Sequence, residues 1–448
     1  MEKKKRFKID DVVEFCKKNN LDSLLKYDGS ASPSDIAFKA SKQTLEKHAD
    51  MVTYAGKLCL APMVRAGELP TRLLALRHGA DLVWSPEIID KKLVQCRRVE
   101  NDRLQTVDFV APCNNSKEFK EQVVFRVFPK EEKGKLIFQM GTSNPGLAVE
   151  AALKVINDVS GIDVNAGCPK HFSIHSGMGA ALLQTPELLC NILTELVQKV
   201  GQPHEKPISV KIRVLDDEPA TLTLVEKLVK TGISNLTVHC RTTPMRNRES
   251  PIRDYLPSIF EICSKNNVSL VMNGGMKNKK EFLSIRKELG LSDSIGGMFA
   301  EAAEANPTVF KDEPLQWFEV TKSYLDIARN FDHPYSNVKY MMTRIIPGKE
   351  KLHKVFSQTK SMQEIDHIIS NWVDPEVGKC ELHSIQKYMG ELRAQEKLAK
   401  QEAGKRKQRE QQQKDKLANT NKRKQQQQQQ QQENAGADNS PEAKKLKV

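Results

Sequence analysis

Between Lys57 and Phe310, short apolar runs rich in β-branched residues alternate with stretches that have helical periodicity. Strands separated by helices indicate a parallel sheet, because a crossover helix carries the chain back to the same end of the sheet. Eight such runs within about 250 residues have the size and rhythm of a barrel of eight strand–helix units. The runs are Leu58–Ala61, Asp81–Trp84, Leu136–Gln139, Ile162–Val164, Ile208–Ile212, Leu236–Val238, Ser269–Met272 and Gly297–Phe299.

The predicted fold class is therefore α/β, a (β/α)8 TIM barrel over residues 51–313. A doubly wound open sheet is the alternative, since it has the same alternation without closure. One insertion, from Glu87 to Gly134, contains a possible hairpin strand at Val123–Phe128. The helical stretches between the runs are Leu69–Arg77, Leu147–Asp158, Pro186–Val200, Leu222–Lys230, Ser258–Lys265 and Glu281–Leu289.

Three further segments flank this region. Residues 1–50 form a basic, lysine-rich N-terminal extension. Residues 314–395 have apolar side chains at i, i+3 and i+4 and are predicted to form a helical domain. Residues 396–448 are rich in Lys, Gln and Glu, so we expect a disordered basic tail, because such a composition cannot bury a core.

The charge of the chain favours an acidic partner. Its 448 residues include 70 Lys and Arg against 57 Asp and Glu, a net charge of +13. From Lys400 onward there are 13 Lys and Arg and 6 Asp and Glu, so more than half of the excess lies in the tail. Nucleic acid is the first candidate, because its phosphates attract cations without regard to base sequence.

Several classes of protein are disfavoured. No apolar run approaches the ~20 residues of a membrane span, and the first residues lack the apolar stretch of a secretory signal. The nine cysteines are scattered and contain no C-x-x-C pair. We therefore expect no disulfide framework, no structural metal, and a reducing location in the cytoplasm, the nucleus or both.

Polar residues collect where the predicted strands end. In a barrel of this kind the carboxyl ends of the strands surround the active site. The residues at or just after these ends are Pro62, Met63, Val64, Ser85, Glu87, Gln139, Asn165, Cys168, Lys211, Arg213, His239, Asn273, Gly274, Gly275, Ala300 and Glu301. Together they bring an amide, a thiol, a lysine, an imidazole and a glycine pair to one end of the barrel.

Cys168 stands between Gly167 and Pro169, in a turn rather than in a packed element. A thiol there is a candidate nucleophile or proton donor, although most intracellular cysteines are simply small buried apolar residues. Zinc binding with His171 and His175 is a weak alternative that lacks a clear fourth ligand. A Cys–His hydrolase is another, for which no oxyanion hole is visible.

Lys211 is predicted to point into the barrel, which is costly unless an anion meets it. A lysine reaching the surface is the plainer alternative, and His239 is equally compatible with a core histidine. Asn273-Gly274-Gly275 is a strand-to-helix turn or a phosphate site. With Gln139, these residues suit a flavin mononucleotide at the end of the barrel.

Several of these segments resemble tRNA-dihydrouridine synthases, most closely the eukaryotic branch that acts on position 20 of the D-loop. The likeness runs from about Met51 to near Gly390. It is carried by Ala61-Pro62-Met63-Val64-Arg65, Trp84-Ser85-Pro86-Glu87-Ile88-Ile89-Asp90, Gln139-Met140-Gly141, Asp163-Val164-Asn165-Ala166-Gly167-Cys168-Pro169, Gly177-Met178-Gly179-Ala180-Ala181-Leu182-Leu183, Val210-Lys211-Ile212-Arg213, Thr237-Val238-His239-Cys240-Arg241-Thr242 and Asn273-Gly274-Gly275.

The resemblance implies a flavin barrel that acts with a helical domain on tRNA, and it assigns roles to matching residues. Cys168 would be the proton donor and Asn165 would position the substrate ring. The residues that would hold FMN are Pro62, Met63, Val64, Gln139, Lys211, His239, Asn273, Gly274, Gly275, Ala300 and Glu301. Glu301 departs from the arginine that the family more often has, so we expect its side chain to turn away from the phosphate.

The implied reaction is reduction of the C5–C6 double bond of a uridine, with NADPH or NADH recharging the flavin. The basic loop that contains Arg241, Arg246 and Arg248 is the best candidate for contact with the tRNA backbone, against the alternative of an ordinary solvated loop. We expect a monomer. A flavin-dependent reductase of small molecules and a non-catalytic RNA-binding protein are the alternative functions.

Overall fold

The computed structural model describes residues 52–113, 121–370 and 382–437. Predictions for residues 1–50 and for the last residues of the tail lie outside this described part. The chain divides into two compact units, Met1–Ser357 and Gln358–Val448. No helix in the described ranges is long and apolar enough to span a membrane.

The first unit contains the strands. They are β1 Leu58–Leu60, β2 Leu82–Trp84, β3 Ile88–Ile89, β4 Arg97–Asn101, β5 Thr106–Pro112, β6 Glu121–Val127, β7 Leu136–Gly141, β8 Gly161–Ala166, β9 Ile208–Arg213, β10 Asn235–His239, β11 Ser269–Asn273 and β12 Gly296–Phe299. In the larger sheet the order is β2-β1-β12-β11-β10-β9-β8-β7-β3, and β2 also pairs with β7.

That extra pairing closes the sheet. Val83 and Trp84 of β2 lie in parallel register with Leu136 and Ile137 of β7. The eight strands of the ring are all parallel to their neighbours, and they coincide with the eight predicted runs. The (β/α)8 barrel is therefore confirmed, and the open doubly wound sheet is excluded.

Helices follow the strands. In the first unit they are α1 Leu69–Arg77, α2 Asp90–Val94, α3 Pro129–Glu132, α4 Pro145–Val155, α5 His171–His175, α6 Pro186–Leu196, α7 Gln202–His204, α8 Glu218–Val229, α9 Leu256–Lys265, α10 Lys279–Glu288, α11 Glu301–Ala305, α12 Trp317–Asn330 and α13 Tyr335–Ile345. The helix α14 Lys351–Gln358 ends at the boundary between the units.

Local capping explains why two helices begin before their predicted starts. The Asn144 side chain accepts a hydrogen bond from the Leu147 N–H at 2.9 Å, and Asp217 accepts one from Ala220 at 2.7 Å. Both helices also have proline in their first turn, where its missing N–H costs nothing. These polar first turns carry no apolar periodicity, so the sequence pattern alone placed the helix starts too late.

The barrel has two apolar layers that follow the alternation of side chains along a strand. Leu58, Leu60 and Val83 belong to the large core between strands and helices. Their neighbours in sequence face the other side of the sheet and form a smaller cluster. That cluster comprises Tyr54, Cys59, Ala61, Leu82, Trp84, Ile137, Val271 and Met298. The apolar part of the interior is thus supplied mainly by β1, β2, β7, β11 and β12.

The insertion after β2 forms a separate antiparallel sheet of β4, β5 and β6. Its strand β6 overlaps the predicted hairpin strand, and two further strands accompany it. Phe125 joins this sheet to the barrel, because its ring packs edge-on against Phe138, with 5.2 Å between the ring centres. Beneath it, the fully buried Arg72 and Glu132 form a salt bridge at 2.6 Å.

The last helices of the first unit meet the loop that follows β1. The Arg65 guanidinium lies 4.2 Å from the centre of the Tyr340 ring and donates to the Ser336 carbonyl at 3.0 Å. Asn337 donates to the Arg65 carbonyl at 2.9 Å. The helix α13 is therefore fixed against the carboxyl-end side of the barrel, which is where the predicted site lies.

The second unit contains α15 Met362–Ser370 and α16 Leu382–Ala437. Buried Ile365, Ile368, Ile385 and Met389 form its apolar contacts. The last helix extends past residue 395, because α16 continues to Ala437, and the rest of the predicted tail lies outside the described residues. Lys, Gln and Glu are good helix formers, so the segment can form a helix without an apolar stripe.

Candidate active site

The Cys168 loop, residues 165–170, is held by hydrogen bonds at both ends. The Asn165 side-chain oxygen accepts from the N–H groups of Gly167 and Cys168, each at 3.0 Å. The Arg213 side chain donates to the Gly167 carbonyl at 2.9 Å, and Ala180 N–H donates to the Cys168 carbonyl at 2.9 Å. The thiol is therefore presented by a turn that the Asn165 side-chain oxygen holds, while the role of Asn165 toward a substrate stays a prediction.

The Cys168 thiol is half-buried, and this burial is the main reason that its pKa is raised. The Glu87 carboxylate raises the pKa further, whereas Lys170 lowers it. A thiol with a raised pKa stays protonated at neutral pH. This is the state required of a proton donor and the wrong state for a resting nucleophile.

A ladder of polar side chains crosses the interior on three neighbouring strands. Gln139, Asp163 and Ser209 lie in register on β7, β8 and β9. The buried Asp163 carboxylate accepts from Gln139 Nε2 at 2.8 Å and from Ser209 Oγ at 2.6 Å. Burial raises the pKa of Asp163 to about 6, although both hydrogen bonds lower it. Because its Nε2 is engaged, Gln139 offers its amide oxygen to a ligand.

Lys211 projects beside this ladder, and no described residue forms a hydrogen bond or an ion pair with its ammonium group. Burial, aided by the charge of Arg213, lowers the pKa of Lys211 to about 8. An unpaired ammonium inside a barrel is costly to the fold. Its position indicates an anionic or strongly polar ligand.

His239 and Arg241 form the next part of the wall. Arg241 Nη1 lies 3.3 Å from His239 Nε2, and because a guanidinium only donates, Nε2 is the acceptor and Nδ1 carries the proton. Burial lowers the pKa of His239 to about 2, assisted by the charges of Lys211, Arg213 and Arg241. The imidazole is therefore neutral at any working pH and is a polar contact rather than a general acid.

The pair Gly274 and Gly275 forms a cradle beside His239. Both have positive φ, 118° and 71°. A Cβ on Gly274 would lie 2.9 Å from the His239 ring, and one on Gly275 would lie 3.4 Å from the guanidinium groups of Arg241 and Arg253. Two arginines therefore converge on backbone that only glycine fits, an arrangement that suits a phosphate.

The other predicted residues surround the mouth. Pro62, Met63 and Val64 follow β1, with Val64 exposed, and the Met63 carbonyl accepts from Gly67 N–H at 2.7 Å. Asn273, at the end of β11, donates to the Met298 carbonyl at 2.8 Å. Ala300 precedes α11, which begins at Glu301.

A cavity of about 510 Å³ opens at the same end and is lined by Arg246, Asn247, Arg248 and Glu301. Arg246, Arg248 and Glu301 are exposed. The Glu301 side chain thus shares the outer cavity with two arginines.

Arg241 is placed differently from Arg246 and Arg248, with which it was predicted to contact tRNA. It is only 4% exposed. Its guanidinium donates to the carbonyls of Glu249 at 2.7 Å and Asn247 at 2.9 Å. These bonds shape the loop, so Arg241 supports the exposed arginines instead of reaching outward with them.

Three residues at the site were not singled out for a role by the sequence analysis: Asp163, Arg213 and Arg253. Arg213 joins two loops, since it also donates to the Thr242 carbonyl at 2.8 Å. Asp163 could have been predicted, because polar residues occur at corresponding positions of neighbouring predicted strands. Arg253 lies in a loop far along the chain from the glycines, and no local pattern marks it. In the described ranges, no cluster of three or more His, Cys, Asp or Glu side chains could hold a metal ion.

The sequence of this chain is similar to those of known proteins. The family model described as "Dihydrouridine synthase (Dus)" matches residues 59–368, more than half of the chain. This chain belongs to the dihydrouridine synthase family. The match begins within β1, covers the rest of the barrel and continues into the helices that follow it.

Two fungal relatives share much of the sequence. The "tRNA-dihydrouridine(20) synthase [NAD(P)+]" of Saccharomyces cerevisiae is 55% identical over 356 residues, covering 78% of this chain and 92% of the relative. The protein of the same name from Schizosaccharomyces pombe is 45% identical over 321 residues, covering 70% of this chain and 65% of the relative.

A human relative, "tRNA-dihydrouridine(20a/20b) synthase [NAD(P)+]-like", is 28% identical over 313 residues, covering 69% of this chain and 88% of the relative. Within the dihydrouridine synthase family, this chain is therefore more similar to the two fungal proteins named for position 20 than to this human protein named for positions 20a and 20b.

Proposed function

We propose that this protein is a flavin-dependent tRNA-dihydrouridine synthase that reduces uridine 20 of the D-loop, with NADPH or NADH as reductant. Family membership supports the reaction class, and the 55% identity to a relative named for position 20 supports the target. The observation that carries the proposal is the position of the Cys168 thiol at the end of a barrel that also holds Lys211 and the glycine cradle.

The residues at the barrel mouth fit FMN. The cradle of Gly274 and Gly275, flanked by Arg241 and Arg253, has the space and charge for its phosphate. The Gln139 amide oxygen is an acceptor for a ring N–H, and the unpaired Lys211 ammonium is a donor for a ring oxygen or nitrogen. These three groups would hold the two ends of one elongated, anionic cofactor.

A flavin bound at this mouth would supply the hydride that the reaction requires, to C6 of the uracil ring. Cys168 then gives its proton to C5, which completes the reduction of the double bond. Lys211 stabilises negative charge that develops near it, because a desolvated ammonium interacts more strongly with an anion than a solvated one does. Neutral His239 contributes hydrogen bonding without adding a second titrating group.

The substrate base must leave its stack to reach Cys168, because a thiol within a barrel mouth cannot touch a base inside folded RNA. The exposed Arg246 and Arg248 lie where the nucleotides next to that base would approach. Their cations are suited to phosphate contacts that orient the RNA without reading its sequence. The rigid loop held by Arg241 keeps them at the edge of the site.

The second unit offers another cationic surface. A cavity of about 440 Å³ is lined by Lys360, Arg393, Lys397, Lys400 and Gln401. Arg393 is paired with the buried Glu364 at 2.6 Å, which neutralises that carboxylate. Three lysines therefore line the same cavity as Arg393. This supports the proposal that the helical region after the barrel, predicted as residues 314–395, takes part in binding tRNA.

The location that we propose for this activity is a reducing compartment, cytoplasm or nucleus. The seven described cysteines are all free thiols, and Cys59, Cys96, Cys240 and Cys263 are buried. Such thiols need no oxidising environment.

The test is Cys168→Ala, with Cys190→Ala as a matched control on α6. We expect Cys168→Ala to retain flavin and to be reduced by NADPH, but to form dihydrouridine in tRNA about 100- to 10,000-fold more slowly, the range for losing a general acid. Cys190→Ala should match the unaltered protein. Dihydrouridine is measured by mass spectrometry of digested tRNA, and the same assay with free uridine tests the small-molecule reductase.

Normal product formation by Cys168→Ala would remove Cys168 from this role. A colourless protein without flavin would overturn the proposed function altogether. Flavin reduction that tRNA never reoxidises would instead favour a small-molecule substrate.

A further inference from the structure

Ser173 lies on the short helix α5, immediately after the Cys168 loop, and is fully buried. Its Oγ has no hydrogen-bond partner within the described part of the chain. A buried hydroxyl without a partner is costly, and replacing it by an apolar group is normally neutral or stabilising. The packing of α5 therefore gives no reason for a serine at this position.

The neighbouring glycine shows where the hydroxyl points. A Cβ on Gly179 would lie 2.4 Å from Ser173 Oγ, 2.7 Å from the Cys168 carbonyl oxygen and 3.1 Å from Cys168 Cβ. The Ser173 hydroxyl and the Cys168 side chain thus border the same small space, which stays open only because residue 179 is a glycine. Gly179 also has a φ of 59°, a conformation that disfavours any larger residue.

We propose that Ser173 is a positioning residue for the acid step: as negative charge develops on Cys168 Sγ, the unpartnered hydroxyl turns to donate a hydrogen bond to it and stabilises the thiolate that remains after proton transfer. This inference rests on the proposed function. In that step the S–H bond breaks, a C–H bond forms at C5 of the substrate, and the electron pair stays on sulfur. Both electrons of the reduction would come with the hydride that a reduced flavin supplies, and the thiolate would then regain a proton from water, so the Ser173 proton is not consumed.

The charged groups around Cys168 show why a neutral donor is useful. Glu87 raises the pKa of the thiol, whereas Lys170 and the Ser173 hydroxyl lower it, and burial remains the largest influence. Lys211 and Arg213 also interact with the Cys168 charge. The exposed His171 and His175 lie on the same helix as Ser173. A hydroxyl strengthens its bond as charge develops on sulfur, but it adds no permanent charge beside the substrate base.

The test compares Ser173→Ala with Ser176→Ala, which makes the same chemical change at an exposed position three residues along the chain. The holoenzyme is treated with iodoacetamide across a pH series, and alkylation of the peptide containing Cys168 is followed by mass spectrometry. Because only the thiolate reacts, the midpoint of this profile reports the thiol pKa. We expect Ser173→Ala to raise the midpoint by about one unit, a tenfold loss of thiolate at neutral pH.

Catalysis supplies a second readout. The rate of tRNA reduction at saturating tRNA should fall about tenfold in Ser173→Ala, with KM for tRNA unchanged, because the lost bond acts only when sulfur becomes charged. Ser176→Ala should change neither quantity. The alkylation profile requires no tRNA, so it still tests the thiol–hydroxyl contact if the protein acts on another substrate.

A midpoint for Ser173→Ala equal to that of Ser176→Ala would overturn the inference, whatever the rate. Should Ser173→Ala fold poorly, Ser173→Thr and Ser173→Val provide an isosteric pair that differs only in the hydroxyl. The threonine variant should keep the original midpoint, and the valine variant should show the raised one. Equal midpoints in that pair would contradict the proposal as well.

Discussion

The barrel mouth and the helix α16 are both cationic, but they use their charge in opposite ways. At the mouth, Arg213 and Arg241 donate to backbone carbonyls and Lys211 stands unpaired in a desolvated wall. Along α16, 13 Lys and Arg residues accompany 6 acids in 56 residues, and the described side chains beyond Arg393 are almost all exposed. The first group shapes and polarises a site, whereas the second raises the local potential.

The difference teaches that net charge is a poor guide to where chemistry occurs. Desolvation at the mouth moves the pKa of Lys211 to about 8 and that of His239 to about 2. Exposed ion pairs on α16, such as Arg406 with Glu410 at 3.0 Å, are screened by water and salt and contribute little each. Loss of one charge should therefore matter far more at the mouth than on the helix.

The largest effect in this comparison is expected for Lys211→Met. Removing a desolvated donor to an anionic cofactor should weaken flavin binding by about 10- to 100-fold at pH 7. Since Lys211 loses its proton as pH rises through about 8, flavin affinity of the unaltered protein should fall above that pH. Flavin released into a filtrate, measured by fluorescence from pH 6 to 10, gives both quantities.

Lys227→Met on the exposed surface of α8 is the control for that experiment, because Lys227 pairs with Glu187 away from the strand ends. It should keep the affinity and the pH dependence of the unaltered protein. A Lys211→Met protein that retained the fall above pH 8 would show that another group controls it.

An intermediate effect is expected for the double change Arg246→Gln and Arg248→Gln. Two lost phosphate contacts should weaken tRNA binding about tenfold at low salt and reduce the slope of log affinity against log salt by roughly 2. Filter binding across a salt series measures both. Lys199→Gln with Lys265→Gln removes the same charge where helices α6 and α9 return to the opposite end of the barrel, and should leave the slope almost unchanged.

Much of the fold could be predicted because the strands are short and strongly apolar. Val83, Ile162 and Val210 lie in runs that read as strands without any neighbour being known. The antiparallel sheet of the insertion was harder, because β4 has a sequence of mostly polar residues, Arg97–Asn101, that carries no clear alternation. The pairing of β4 with β5 therefore depends on contacts in the folded chain and not on the local sequence of β4.

The site was only partly predictable for a related reason. Cys168, Lys211 and His239 stand at strand ends, which a barrel brings together whatever the details of its packing. The roles of Asn165, Arg241 and Ser173 depend instead on which atom each side chain can reach. That choice is fixed by strand register and by which side chains approach glycines such as Gly179, and neither of these spatial relations can be read from the sequence alone.

The smallest effect is expected on α16. There the experiment can test whether the side of the helix that carries the cations matters, rather than only how many cations it has. Lys400, Lys407 and Lys414 are spaced by seven residues and so lie on one side of the helix. Changing all three to Gln should weaken tRNA binding only a few-fold at low salt and not measurably at physiological salt.

The matched variant for this test changes Lys405, Arg409 and Lys416 to Gln, which removes the same charge from the opposite side of α16. If the helix acts only through its potential, both triple variants should weaken tRNA binding equally, and dihydrouridine formation at saturating tRNA should be unchanged in both. If the Lys400, Lys407 and Lys414 variant loses more tRNA affinity, this side of α16 contacts the RNA directly. That contact would continue along the helix from the cavity lined by Lys397 and Lys400. The contrast between the two cationic regions would then be one of degree, because α16 would also place its cations against particular phosphates.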